Sequence, residues 1–188
     1  MTVTNERISE ASWTPPTPWQ LRPERWHAPD NQSTETEVSR LVAAFVVALQ
    51  PDYVIETGTH KATTAMMIGR ALMDNGHGHL DTLETNYELA TAAKATLRGL
   101  PVTVLNQSSM NFQPGAKIDF AWLDSETYLR VGEFALFRPY MHPGTVVGMH
   151  DTAPHHGAYG DMVDQMPGTR SIRLHTPRGV TFLQVTDA

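Results

Sequence analysis

The sequence feature that most constrains the fold is the stretch YVIETGTHKATTAMMIGRAL at residues 53–72. An apolar run of strand-forming residues ends at Gly58, and apolar residues at helical spacing follow it. A buried strand, a glycine turn and a helix in this order are the opening unit of a parallel α/β sheet. Gly58 permits close approach of the backbone, and the start of the helix offers unpaired N–H groups to a polar ligand.

Alternating strand and helix patterns continue along the chain. The predicted strands are 53–57, 79–84, 101–105, 118–123 and 145–149, and the predicted helices are 62–74, 86–98 and about 129–140. An earlier helix, capped by Ser33 or Thr34, is predicted to end before Pro51. Repeated alternation with short turns predicts a mostly parallel sheet that helices cover on both faces.

The two ends of the sequence depart from this alternation. The segment SIRLHTPRGVTFLQV has two β-rich runs around Pro177–Gly179, which predicts an antiparallel hairpin at the edge of the sheet. Residues 1–32 contain three tryptophans and many prolines without a regular period. We therefore expect an irregular N-terminal arm over residues 1–32 and a single α/β domain over residues 33–188.

The composition limits the kinds of partner and metal ligand that we expect for this protein. The 188 residues carry a net charge of −6, which gives no basic field for a nucleic-acid backbone, so a small molecule is the expected partner. No stretch approaches the roughly 18 apolar residues of a membrane span, and the N-terminus lacks a signal-peptide pattern, so we expect a cytoplasmic protein. Because the chain has no cysteine, any metal must be bound by carboxylate, imidazole or carbonyl groups. The tryptophan-bearing arm could reach a second copy in a homo-oligomer.

Polar residues follow the predicted strands at the edge where open parallel sheets bind ligands. Glu84 ends the second strand, 26 positions beyond Gly58, and a carboxylate there can accept both hydroxyls of a ribose. A solvated strand end explains Glu84 equally well. The segment Asn106–Ser109 after the third strand could hydrogen-bond an adenine edge, although a plain turn explains it nearly as well.

Acidic residues also follow the next two strands. Asp124 comes after the fourth strand, and His150 and Asp151 come after the fifth. Two neighbouring carboxylates with an imidazole between them could bind a divalent ion such as Mg²⁺ and leave a base for a substrate. Capping carboxylates without a metal are the alternative. On the intervening helix, Arg130 and Glu133 are expected to pair with each other or to orient the loop.

Three segments taken together resemble a known family: VIETGTHKATTA, then LDTLE, then IDFAWLDSETYLRVGEFALFRPYMHPGTVVGMHDTAP. The chain from about residue 33 onward resembles the class I S-adenosylmethionine-dependent methyltransferases, of the small bacterial O-methyltransferase-like kind. The resemblance implies an α/β, Rossmann-like fold with a seven-stranded, mostly parallel sheet and a C-terminal antiparallel hairpin. It also implies S-adenosylmethionine as the cofactor and a small-molecule hydroxyl as the methyl acceptor.

The resemblance further assigns residues to the cofactor. It implies that the methionine part is bound by Glu56, Gly58, Thr59 and His60, the ribose by Glu84, and the adenine by Gln107 and Ser108. Asp124 would lie close to the sulfonium and the acceptor. In metal-dependent relatives, residues at the positions of Asp124 and Asp151 bind a divalent ion, which lowers the pKa of the acceptor hydroxyl.

The mechanism expected from these residues is mainly one of positioning. Methyl transfer needs an acceptor lone pair in line with the sulfonium methyl. We expect His150 to deprotonate or polarise the hydroxyl, and a metal on Asp124 and Asp151 could assist it. The loop departs from the family where His60, Lys61 and Ala62 replace further glycines. Lys61 adds a positive charge near a cationic cofactor unless it points to water.

Three other functions fit parts of the same pattern. A nicotinamide-dependent oxidoreductase shares the strand, glycine turn, helix and ribose carboxylate, but the three-glycine fingerprint is missing and the terminal hairpin is unexpected. A non-catalytic binding module with the methyltransferase fold would bind the cofactor without turnover. A metal-dependent hydrolase would need a firm ion site and no adenosyl cofactor.

Overall fold

A computed structural model describes residues 25–187 of the chain and, for the backbone alone, residues 6 and 7. The strand Glu6–Arg7 (β1) pairs antiparallel with the strand His27–Ala28 (β2). Most of the arm predicted over residues 1–32 lies outside the described residues, and so do Trp13 and Trp19.

Seven further strands form one sheet in the described part of the chain, and five helices accompany it. The strands are Tyr53–Thr57 (β3), His79–Leu83 (β4), Val102–Leu105 (β5), Ile118–Leu123 (β6), Met141–His150 (β7), Thr169–Leu174 (β8) and Val180–Val185 (β9). The helices are Thr36–Leu49 (α1), Thr63–Asn75 (α2), Tyr87–Thr96 (α3), Thr127–Phe137 (α4) and Tyr159–Asp164 (α5).

The strand order in the sheet is β5-β4-β3-β6-β7-β9-β8. β3 pairs parallel with both β4 and β6, and β9 pairs antiparallel with both β7 and β8. The predicted Rossmann-like sheet with a C-terminal antiparallel hairpin is therefore confirmed. The chain leaves β3 toward β4 on one side and later returns to β6 on the other, and open α/β sheets bind their ligands at such a switch point.

Helices bury both faces of the sheet, and consecutive side chains of its central strands point to opposite faces. On one face, Val54 and Phe120 pack with α1, α2 and α3. On the other face, Ile55 and Leu123 pack with α4 and α5. All four side chains are completely buried, so the two layers hold the carboxyl ends of β3 and β6 firmly side by side.

The first helix lacks the predicted cap. Glu35 holds the N-cap position of α1, and its side chain makes no capping bond. Ser33 hydrogen-bonds His60 and Thr34 donates to Asp124. The prediction that Ser33 or Thr34 caps the helix was wrong, because contacts with distant parts of the chain take the place of the local cap.

Other element boundaries also differ from the prediction. β7 begins at Met141 instead of residue 145, and its pairing with β6 has an irregular register near its start. α4 spans Thr127–Phe137, and a 3₁₀ turn over Arg138–Tyr140 completes the predicted helical segment. α5 was not predicted. None of the helices in the described residues is both long and apolar enough to cross a bilayer.

Candidate active site

A cavity of about 400 Å³ opens at the carboxyl ends of β3, β4, β5 and β6, within the range of roughly 300–1,000 Å³ that is typical of ligand sites. Its walls include every residue predicted for cofactor binding, namely Glu56, Gly58, Thr59, His60, Glu84, Gln107, Ser108 and Asp124. Asp151 also lines the cavity, whereas His150 is completely buried behind it. The structure brings these residues together, and their individual roles stay predictions.

The loop after β3 has a backbone suited to glycine. Gly58 has a φ angle of +82°, and a Cβ atom there would lie 2.4 Å from the carbonyl oxygen of Asp124. The close approach that requires glycine is therefore made to the end of β6 in the same chain. His60 and Ala62 also have positive φ angles, 45° and 61°, which cost roughly 1–2 kcal/mol for a residue other than glycine.

Glu84 is held in a fixed position at the cavity wall. One carboxylate oxygen accepts a hydrogen bond from the backbone N–H of His60, and the other accepts one from the backbone N–H of Asn86, both at 2.8 Å. A carboxylate oxygen can accept more than one hydrogen bond. Glu84 is therefore oriented by the backbone and keeps acceptor capacity for a ligand.

Glu56 lies deeper on the same side of the cavity and is 2% exposed. Burial raises its pKa to about 8, since the hydrogen bond from the Thr82 hydroxyl only partly offsets the loss of water, and Asp124 and Glu84 raise the pKa further. The carboxyl group is consequently mostly protonated at neutral pH. We call Glu56 and Glu84 the acidic wall.

Lys61 lines the cavity, and its charge is paired with that of Asp30. Its ammonium nitrogen lies 2.5 Å from a carboxylate oxygen of Asp30, and its side chain is 52% exposed. Although partial burial would raise the pKa of Asp30, Lys61 and nearby backbone N–H groups lower it to about 2. The positive charge that the sequence places in the loop is therefore compensated by a carboxylate that is not among the residues lining the cavity.

A compact group of charged side chains forms the other side of the cavity. We call it the ion cluster, and it consists of Glu35, Asp124, Arg130, His150, Asp151 and Arg178. Three members are carboxylates and three are cationic groups. The cluster therefore balances its own charge.

Arg130 lies at the centre of the ion cluster, and its side chain is only 3% exposed. One terminal nitrogen, Nη2, lies 3.0 Å from Asp124 and 2.9 Å from Asp151. The guanidinium also donates to the backbone carbonyls of Ser125 and His150. Arg130 thus connects the ends of β6 and β7.

Both ring nitrogens of His150 face carboxylates. Nδ1 lies 3.1 Å from Asp124, and Nε2 lies 2.6 Å from Glu35. Burial alone would lower the pKa of His150, but Asp124, Asp151 and Glu35 together raise it to about 10. In this arrangement the ring is an imidazolium that donates two hydrogen bonds.

Sequence analysis did not single out Glu35 or Arg178 as site residues. Arg178 is carried by the turn between β8 and β9; its Nε lies 2.7 Å from Asp151, and its backbone N–H donates to Glu35. One signal was available for Arg178: the last strand of the predicted antiparallel hairpin runs against the parallel strands, so its turn lies at the edge where they end. In the structure the first residue of β9, Val180, pairs with His150. Glu35 had no comparable signal.

The predicted ion pair between Arg130 and Glu133 is wrong. Glu133 is completely buried, and its carboxylate accepts hydrogen bonds from the hydroxyls of Thr57 and Ser109. Arg130 instead binds the backbone carbonyl of Ser125, which agrees with the alternative expectation that it orients the loop.

The predicted metal ligands Asp124 and Asp151 lie close together, with the predicted base His150 beside them. Ligand atoms of Asp124, His150 and Asp151 are all within 4.8 Å of one another, which is compact enough for one ion. The same atoms, however, are engaged by Arg130 and by one another. The arrangement therefore has the shape of a metal site but already contains a cation.

The fold and the cavity can be compared with known proteins. A family model described as a methyltransferase domain matches residues 55–152. No curated protein matches the chain. Among solved structures, the O-methyltransferase TomG from Streptomyces achromogenes, in complex with SAM, is 18% identical, with a TM-score of 0.69, and the match covers 83% of this chain and 82% of that one.

Two further solved structures are similar in fold over nearly the same share of the chain. Cofactor-bound Rv0187 from MTB is 16% identical, with a TM-score of 0.72, and the match covers 83% of each chain. The O-methyltransferase from Bacillus cereus, in complex with SAH, is 15% identical, with a TM-score of 0.68, and the match covers 82% of this chain and 83% of that one. At these identities the likeness shows a common fold.

Proposed function

Because the chain belongs to the methyltransferase domain family, we propose that it transfers a methyl group from S-adenosylmethionine to a hydroxyl oxygen of a small molecule. The main support is the cavity, which has the acidic wall on one side and the ion cluster on the other. Membership of this family decides against a nicotinamide-dependent oxidoreductase. The similar O-methyltransferases favour oxygen as the acceptor atom.

The acidic wall suits this cofactor because S-adenosylmethionine carries a sulfonium and an ammonium group. A nearby cation favours the ionised form of Glu56 and so recovers part of the cost of burying its carboxyl group. Glu84 is oriented to accept hydrogen bonds from ribose hydroxyls. Gln107 and Ser108 offer an amide and a hydroxyl to the adenine edge. When bound, the cofactor supplies the electrophilic methyl group.

Asp124 is proposed to hold the methyl acceptor. Burial would raise the pKa of Asp124, but His150 and Arg130 together lower it, so the group is an ionised carboxylate at the cavity wall. It can accept a hydrogen bond from the acceptor hydroxyl and so direct an oxygen lone pair toward the methyl group. As the O–CH₃ bond forms and the S–CH₃ bond breaks, the hydroxyl proton passes to Asp124 and S-adenosylhomocysteine is the leaving group. Correct positioning of the reacting atoms accounts for much of the rate in reactions of this type.

We propose that His150 positions Asp124 in place of the predicted role as a base. Its two ring nitrogens already bond to Asp124 and Glu35, so the ring has no free lone pair for a proton. Once an acceptor is identified, the pH dependence of turnover tests this role in His150→Gln. If His150 is a base, the pH profile of the wild type contains its titration and the profile of the variant does not. If His150 is a positioning residue, turnover falls in the variant and the profile keeps its shape.

Calorimetric titration with S-adenosylmethionine and S-adenosylhomocysteine tests the proposed function. We expect micromolar binding to the wild-type protein. Glu84→Gln should weaken binding by about 10- to 100-fold, the equivalent of losing charge-assisted hydrogen bonds worth roughly 1.5–3 kcal/mol. Asp81→Asn is the matched control, because Asp81 lies on β4 three residues before Glu84 but bonds to the hydroxyl of Tyr53 outside the cavity.

Three results would contradict the proposal. Folded wild-type protein that binds neither compound, or equal losses in the two variants, would remove the cofactor site from the cavity. Tight binding without transfer of labelled methyl to a panel of phenols and sugar alcohols would favour the non-catalytic module. Transfer to nitrogen or carbon, identified by mass spectrometry of the product, would exclude the hydroxyl acceptor.

A further inference from the structure

The position that a metal would need in this site is taken by an arginine. We infer that Arg130 permanently occupies the place between Asp124 and Asp151, so that the site uses guanidinium groups and no divalent ion. The functional meaning of this inference rests on the proposed methyl transfer. The inference itself concerns only what the strand-end carboxylates bind.

Arg130 already bridges the two strand-end carboxylates. A single nitrogen of its guanidinium bonds to both carboxylates, at 3.0 and 2.9 Å, which is the bridging role that a shared ion would have. Backbone carbonyls at the ends of β6 and β7 hold the rest of the group in place. Since the side chain is 3% exposed, it cannot leave this position without opening the packed site.

The remaining candidate ligand atoms of Asp124, Asp151 and His150 also have partners. The second oxygen of Asp124 accepts a hydrogen bond from Thr34. The second oxygen of Asp151 makes an ion pair with Arg178, whose Nε lies 2.7 Å away, although it receives no hydrogen bond of good geometry. Both nitrogens of His150 are engaged as well. A metal would therefore have to displace existing partners from each of its three candidate ligands.

The charge balance of the ion cluster also disfavours a divalent ion. With three carboxylates and three cationic groups, the ion cluster is neutral as it stands. A divalent ion placed next to Arg130 would add repulsion at short range in a site with little water to screen it. Arg130 and Arg178, which both line the cavity, already supply fixed positive charge near the place where an acceptor oxygen would become negative.

Manganese binding tests the inference without any acceptor, because Mn²⁺ is detected directly by its paramagnetic resonance. Chelator-treated wild-type protein, with and without S-adenosylhomocysteine, should bind Mn²⁺ no more tightly than millimolar. Arg130→Ala removes the cation that bonds one oxygen each of Asp124 and Asp151 and leaves the ion cluster with a net negative charge, so we expect it to bind Mn²⁺ at least about 100-fold more tightly. Arg138→Ala, which removes a partly exposed arginine paired with Asp187, should show no gain.

Two results overturn the inference. One is tight Mn²⁺ binding by the wild-type protein that Asp124→Asn abolishes. The other is a folded Arg130→Ala protein, verified by circular dichroism, that binds Mn²⁺ no better than the wild type. If Arg130→Ala does not fold, the wild-type and Asp124→Asn titrations still decide the question. Titration of the same samples with S-adenosylmethionine separates a failed cofactor site from a failed metal inference.

Discussion

The two sides of the cavity differ in how their charges are compensated. The ion cluster pairs three carboxylates with three cationic groups, whereas no ion pair in the described part of the chain reaches Glu56 or Glu84 of the acidic wall. A side that is already neutral gains little from binding an ion. A side with uncompensated carboxyl groups gains from binding a cation. The difference supports the proposal that the acidic wall faces the charged cofactor and the ion cluster faces the acceptor.

Removing one charge from the ion cluster should have the largest effect on stability. Glu35→Gln keeps the shape of the side chain but leaves an unbalanced positive charge in a completely buried site. We expect the free energy of unfolding to fall by about 3–5 kcal/mol, measured by urea denaturation. Glu37→Gln is the matched control: Glu37 pairs with His27 at the surface with 29% of its side chain exposed, so the loss should be about 0–1 kcal/mol. Equal losses would show that the cluster is not a balanced unit.

Gly58 lies where the two sides meet, and its replacement should have the next largest effect. In Gly58→Ala the new Cβ would lie 2.4 Å from the Asp124 carbonyl, so we expect a loss of about 2–4 kcal/mol from backbone strain and overpacking together. Gly99→Ala has a similar φ angle, +87°, with no atom within 4 Å of the new Cβ. It should lose only about 1–2 kcal/mol. If the two variants lose the same amount, the close approach of β3 and β6 is not needed.

The pKa of Glu56 predicts a smaller effect, on cofactor binding. Because the pKa of Glu56 is about 8 in the free protein, a bound cation should lower it and release a proton. The affinity for S-adenosylmethionine should therefore increase from pH 6.5 to pH 8, by up to about tenfold per pH unit, and then level off. Glu56→Gln should lose this dependence. Calorimetry in two buffers with different ionisation enthalpies measures the released proton.

Glu133→Gln is the control for this effect. Burial also raises the pKa of Glu133, but Glu133 is not among the residues that line the cavity. Its replacement should leave the proton release on cofactor binding unchanged. An identical proton release in Glu56→Gln and the wild type would mean that the acidic wall does not face the cationic part of the cofactor.

Features with a local or a topological cause could be predicted from the sequence. β6 was predicted to the residue because its six residues are a nearly unbroken apolar run between polar ones. Asp124 and Glu84 were placed at one cavity because parallel strands end at a common edge. The hairpin followed from two β-rich runs around a turn. None of these inferences required knowledge of a distant partner.

Features that depend on long-range partners could not be predicted. Ser33 and Thr34 have the side chains of helix caps, but His60 and Asp124 compete for them successfully. Arg130 has an acidic residue three positions away, yet its charge partners Asp124 and Asp151 follow the ends of two neighbouring strands. Pairing Arg130 with the nearby Glu133 would cost the least chain entropy. The packed site instead provides Arg130 with stronger hydrogen bonds in a less polar environment.

The contact between Glu35 and Arg178 also bears on how the protein folds during synthesis. These residues are 143 positions apart, so closing this part of the site carries one of the larger chain-entropy costs in the molecule. The half of the sheet that carries the acidic wall has all its strands once β6 has been made, but the ion cluster stays incomplete until the β8–β9 turn is in place. A growing chain should thus acquire the means to hold a cofactor before it can hold an acceptor. We expect binding competence and catalytic competence to appear at different chain lengths on the ribosome.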